Sequence, residues 1–188
     1  LTMNMGIINV SGAGATLVVN SNIVLAQTTH SGPSALGTSG FLNVTAGTVR
    51  ANNITVGASG TNHAINLSAN ASLIVSNTVG ATKPVRTFTM SDSSLTLNLT
   101  GAGPVVSATN VTTSGSGNTI NIDSSIIFSS YPAQVSLIKY VTLGGSGNNF
   151  TLGSVPASIV GASLSNNTFN SSIDLYIPTD PRPVISSQ

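Results

Sequence analysis

The stretch Leu42-Asn43-Val44-Thr45-Ala46-Gly47-Thr48-Val49-Arg50-Ala51-Asn52-Asn53-Ile54-Thr55-Val56-Gly57 decides how this chain folds. Apolar and polar residues alternate in Leu42-Asn43-Val44-Thr45, the period-2 pattern of a strand with one covered face. Ala46 and Gly47 interrupt the pattern, Thr48-Val49-Arg50 resumes it, and Ile54-Thr55-Val56 carries it to Gly57. Working outward, similar units occupy most of the chain. They include Ile7 to Val10, Thr16 to Asn20, Ala64 to Ser68, Ser72 to Ser76, Thr87 to Met90 and Thr119 to Asp123. Helical periodicity is hard to find anywhere.

The head of the unit recurs as aliphatic-Asn-aliphatic-polar. The copies are Ile8-Asn9-Val10-Ser11, Leu42-Asn43-Val44-Thr45, Ile65-Asn66-Leu67-Ser68, Leu97-Asn98-Leu99-Thr100 and Ile120-Asn121-Ile122-Asp123. Their starts are 34, 23, 32 and 23 residues apart. Steps in the low twenties suit one coil of a solenoid, and longer steps suit a coil plus a loop. In such a coil two or three short strands meet at tight bends. Alternate aliphatic side chains stack on those of the next coil, and backbone hydrogen bonds run between coils. An Asn at one coil position can stack in an axial amide ladder. Gly and Asn supply the positive φ that bends require. The expected fold is therefore all-β, a parallel β-helix. A β-sandwich of short alternating strands is the alternative.

The boundaries follow from where the repeat changes. Residues 1–130 read as solenoid coils. Residues 131–177 carry Tyr131, Tyr140, Phe150, Phe169 and Tyr176 and longer, bulkier strands, as a C-terminal cap would. Residues 178–188 hold three prolines and read as an extended tail. The whole is one domain.

The 42–57 run resembles the repeats of bacterial autotransporter-associated β-strand proteins. Tyr131 to Tyr140 and Ser165 to Leu175 resemble the C-terminal part of such regions. The resemblance covers most of the chain through motifs of low complexity. It implies a right-handed, pectin-lyase-like parallel β-helix exported to the bacterial cell surface, with no catalytic residues to carry over. No membrane-barrel translocator is visible, so the resemblance implies an exported portion.

Composition narrows the functions. Charged residues are 5% of the chain, against about 25% in an average soluble domain. The net charge is +1 with no basic cluster, which argues against nucleic acid as a partner and leaves self-association unopposed. No cysteine is present, so disulfides and thiolate chemistry are excluded. Uncharged, Ser/Thr/Asn-rich chains of this kind are common among exported bacterial proteins, so an extracellular or cell-surface location is expected. The opening Leu1 and the lack of a leader pattern read as a processed product. No apolar run reaches the length of a membrane helix.

Catalytic chemistry finds little support. β-Helical polysaccharide lyases and hydrolases need clustered carboxylates. The acids here are Asp92, Asp123, Asp174 and Asp180, spread along the chain, and glutamate is absent. His30 and His63 sit beside Ser, Gly or Asn and read as solvated loop residues rather than metal ligands. Gly115-Ser116-Gly117 and Gly144-Gly145-Ser146-Gly147 read as turns, since no helix or Lys follows. The chain is expected to be no enzyme and to hold no cofactor or metal. Of many Asn-x-Ser/Thr sequons, Asn166 and Asn170 are the candidate glycosylation sites, as loop residues.

Leu1, Met3 and Met5 alternate with Thr2 and Asn4, giving a short strand with an apolar face. Without a cap, that strand is a candidate for assembly with another copy. The expected role is a structural surface protein that self-assembles into a fibre, by end-to-end stacking or strand addition. An adhesin or glycan-binding module is the alternative, with surface glycans as partners. A polysaccharide-degrading enzyme comes last.

Overall fold

The computed structural model describes residues 1–3, 5–27, 38–99, 101, 105–124, 128 and 130–179. His30 and residues 180–188 of the expected tail lie outside them, as does Asn4. Among the described residues fifteen strands, mostly parallel, make up the regular structure, and there is no helix. The protein is a parallel β-helix with an antiparallel C-terminal cap.

Three parallel ladders share the coils. The first joins β1 (Gly6–Ser11), β3 (Thr38–Thr45), β5 (Gly60–Ser68), β7 (Val85–Ser91), β9 (Val106–Ser114) and β12 (Thr142–Gly145). The second joins β2 (Thr16–Leu25), β4 (Thr48–Val56), β6 (Ser72–Val79), β8 (Ser94–Asn98), β10 (Thr119–Ser124) and β13 (Thr151–Leu152). The third uses the C-terminal parts of β2, β4 and β6. It passes through Val106 of β9 and reaches β11 (Ala133–Lys139) at Ile138. Register breaks between Val19 and Asn22 and between Ala51 and Asn53 mark where β2 and β4 turn from the second ladder to the third. A sandwich is excluded, because its sheets are antiparallel and these ladders are not.

Each ladder stacks like on like along the axis. Leu42, Ile65, Phe88 and Val111 occupy one register position of the first ladder. Val49, Leu73, Leu95 and Ile120 do so in the second, and Ile23, Ile54 and Val79 in the third. All are buried and belong to one continuous core. Alternation supplies this core, since each inward side chain needs an inward neighbour 4.7–4.9 Å or so along the axis.

The bend between the first and second ladders shows the backbone cost of coiling. Ala46, Ala69, Asn70, Asp92 and Gly115 take positive φ there, at 56°, 55°, 65°, 46° and 72°. The amides of Ala46 and Ala69 bond to Ser68 and Ser91 of the next coil, so the bends themselves stack.

One expectation needs correction. The first three copies of the aliphatic-Asn unit are stacked as read, with Asn9 opposite Asn43 and Asn43 opposite Asn66. The fourth and fifth are not in that stack. Asn66 faces Thr89 in the next coil, while Leu97 lies in β8 on the second ladder, between Val75 and Ile122. The 32-residue step is thus a change of face, not a coil with a loop. Every face alternates inward and outward, so the same short pattern arises on any of them.

At the C-terminal end parallel pairing gives way. β15 (Ser172–Ile177) runs antiparallel to β11, and β14 (Ser163–Asn167) antiparallel to β15. This closes the third ladder. β12 and β13 continue the other two faces within the same segment.

Candidate functional site

The outward side chains of the first ladder form a polar stripe. Asn43 Nδ2 donates to Asn9 Oδ1 at 3.0 Å, and Asn66 Nδ2 donates to Asn43 Oδ1 at 2.9 Å. Thr45 and Ser68 hydroxyls meet at 3.3 Å beside them. On the third ladder Asn53 Nδ2 donates to Asn22 Oδ1 at 2.9 Å, and Thr78 Oγ1 donates to Asn53 Oδ1 at 2.9 Å. These amides satisfy one another along the axis, so the stripe braces coils rather than presenting free groups.

The N-terminal end differs. Met3 N–H donates to Val24 O at 2.9 Å, and Val24 N–H donates to Leu1 O at 2.8 Å, so residues 1–3 add a rung to the third ladder. Met3 packs on the core, while Leu1 and Met5 are 52% and 68% exposed. The expected single apolar face is therefore split, because only Met3 reaches inward. Next to them the outer edges of β1 and of the 16–19 part of β2 have no strand partner among the described residues. Ile7 and Val18, on those edge strands, are 59% and 55% exposed. Ile8, Leu17 and Val19, stacked on the core from one side, are only partly buried.

The charged groups are spread over separate places. Asp92 sits in a left-handed bend, and its Oδ1 accepts from Ser116 N–H at 2.8 Å and Gly117 N–H at 2.9 Å. Those two backbone bonds, Gly117 first, hold its carboxyl below the usual range. Gly115-Ser116-Gly117 is thus a turn whose amides are already filled by a carboxylate of this chain. Asp123 lies in β10, beside a shallow groove that Arg50 also lines. Asp174 lies in β15. No group of three or more His, Cys, Asp or Glu side chains is placed to hold a metal among the described residues.

His63 is the second correction. It lies within β5 and is 3% exposed, not solvated in a loop. Its Nδ1 accepts from Arg86 N–H at 2.9 Å. Burial, then the charges of Lys83 and Arg86, push its pKa below the ordinary imidazole value. Lys83 Nζ donates to Ala58 O and Gly60 O at 2.9 and 2.6 Å, and Arg86 Nη1 donates to Thr61 O at 3.0 Å. The two cations therefore tie down carbonyls of the preceding turn and of the first residues of β5. The sequence signal was present in the parity of His63 with Ile65 and Leu67, but its Gly and Asn neighbours masked it.

The two candidate glycosylation residues separate. Asn170 is exposed in the turn before β15. Asn166 lies in β14 rather than a loop, half-buried, and its Oδ1 accepts from Tyr140 Oη at 2.5 Å. Comparison with protein-family models, curated proteins and solved structures returns no match.

Proposed function

We propose that this protein is a structural β-solenoid of the bacterial cell surface that assembles with copies of itself, as the autotransporter-like repeats suggest. The observation that carries this reading is the N-terminal end. Two edge strands without strand partners among the described residues lie beside Leu1, Met5, Ile7 and Val18. Unpaired strand edges are templates for further strands, and exposed apolar side chains beside them add a driving force. At the other end β12 and β13 also have no partner on their outer edges among the described residues. A second copy adding β1 to β12 makes a heterologous contact, and such contacts propagate into a fibre. The near-zero net charge of +1 sets no repulsion against it. Few charges and stacked amides suit a scaffold held by backbone bonds rather than a site that does chemistry. Negative-stain electron microscopy of the purified protein at high concentration tests the reading. Filaments or axial oligomers are expected, and monodisperse single particles remove it.

A further inference from the structure

The two ends of the stack do not match on all three faces. Along the chain, each third-ladder strand leads into a first-ladder strand and then a second-ladder strand. Residues 1–3, β1 and the 16–19 part of β2 therefore form one complete end turn, since Thr2 bridges to Val24 on the third ladder. At the opposite end the corresponding turn is β11, β12 and β13. Two faces of that turn, β12 and β13, end without a further strand among the described residues. On the third face β11 carries β15, and β15 carries β14. That face projects past the other two by two strand spacings, roughly 10 Å.

On the two bare faces the ends are complementary. When β1 of a second copy continues the first ladder in register, its Ile8 comes opposite Leu143, the last residue of the inward row that starts at Ile8 and passes through Leu42 and Val111. On the second ladder, Leu17 of the arriving copy comes opposite Leu152. These four residues pack on the core from one side and are only partly buried. In this register each gains the inward neighbour that its row lacks at the end.

The third face has no room for the same register. Residues 1–3 of the arriving copy come to the outer edge of β11, beside Ile138 and Lys139, where Ile173 and Ser172 of β15 are already paired. Its next third-ladder strand, residues 22–25, falls where β14 lies. Both cap strands must leave before two copies join on the bare faces. β15 is built to be displaced. Its Ile173, Leu175 and Ile177 are buried in the core, yet Asp174 among them is 3% exposed. Asp174 Oδ1 and the Oγ of Ser136 opposite it have no hydrogen-bond partner among the described residues. Shielded polar groups of this kind disfavour the closed pairing and regain water when the strands part. A register break between Ser136 and Ile138 interrupts the same pair of strands.

We propose that the β14–β15 hairpin covers the docking edge of β11 and controls assembly, and that residues 1–3 of a second copy replace β15 when copies join. This exchange presupposes the self-assembly proposed above, and it fixes the register of the joint and the strand displaced.

A crosslink that holds β15 on β11 tests the exchange, in a chain with no cysteine of its own. Lys139 and Ser172 lie directly opposite each other across the two strands, at a spacing a disulfide bridges. The intact chain carrying Lys139→Cys with Ser172→Cys is expected to form filaments in dithiothreitol and none when oxidised, as seen by negative-stain electron microscopy. Filaments equally abundant in both states overturn the proposal and leave self-assembly standing. No filaments in either state or from the unaltered protein remove self-assembly, and the proposal with it. Should the double variant misfold, or stay monomeric in both states while the unaltered protein polymerises, hydrogen exchange in the unaltered protein decides. β15 has a strand on each side in the single molecule, so its amides should be protected there and lose protection in the filament. Protection retained in the filament overturns the proposal.

Discussion

At the scale of single residues, charge and backbone conformation make the sharpest claims. His63 is buried beside Lys83 and Arg86, and its pKa is lowered. Between the folded value and the unfolded value of about 6.5 the unfolded chain binds more protons. The stability due to neutral His63 is therefore complete above about pH 6.5 and is lost as pH falls through the folded value. Melting temperatures between pH 7.5 and 5 should fall with pH in the native protein. The slope should flatten in His63→Gln, which keeps an acceptor for Arg86 N–H and cannot ionise. An unchanged slope would assign the effect elsewhere. Asp92 acts at lower pH. Its pKa is depressed, so its contribution is present above the usual carboxylate value and disappears as pH falls through the folded one. Ala46 and Ala69 hold φ of 56° and 55°, which glycine adopts without a Cβ penalty. Replacing both by Gly should be neutral or stabilising, by up to about 1 kcal/mol each, once the greater freedom of unfolded glycine offsets part of the relief. Urea denaturation measures this, and a loss of about 1 kcal/mol or more per site would contradict the left-handed bend.

At the scale of elements, each strand is stabilised by the strands one coil away rather than by its neighbours in sequence. Leu73 is fully buried at the centre of the second ladder, with Val49 before it and Leu95 after it. Leu73→Ala leaves a hole that both neighbouring coils line, and should cost about 2–5 kcal/mol in chemical denaturation. The outward ladders are worth less. Asn43 donates to Asn9 and accepts from Asn66, so Asn43→Ala removes two amide bonds at a surface where water replaces them. A cost of about 0.5–1.5 kcal/mol is expected. A measured cost above that of Leu73→Ala would mean that the amide ladder, not the core, holds the coils together.

At the scale of the whole molecule, a stack of coils is nearly one-dimensional, so stability is lowest at the ends and rises inward. Amide hydrogen exchange should be slowest in β4, β5 and β6, which have coils on both sides, and faster in β1 and β13. If the ends are where copies meet, exchange in β1 should slow at concentrations that give filaments. Ile7→Lys with Val18→Lys places charges at the exposed edge strands and should abolish filaments without lowering the melting temperature. Filaments that survive this double substitution would move the contact elsewhere on the molecule.

Alternation in Leu42 to Val56, glycine-punctuated bends and a near absence of charge were enough to specify stacked parallel coils. Inward aliphatics and outward amides follow from the period-2 geometry of any strand, and that geometry is local. Locality also explains what stayed hidden. Leu97-Asn98 carries the same short pattern as Leu42-Asn43, yet belongs to another face, because only pairing between distant strands distinguishes faces. His63 looked like a loop residue until β3 and β7 were placed on either side of it. Asp174 looked isolated among scattered acids, and the antiparallel return of β15 against β11 brought Gln134 and Ser136 to it. The coil was legible in the chain alone, because its physics is the alternation of neighbouring residues. The surroundings of Asp174 were not legible there, because its partner Gln134 lies forty residues away and meets it through backbone pairing that no short motif encodes.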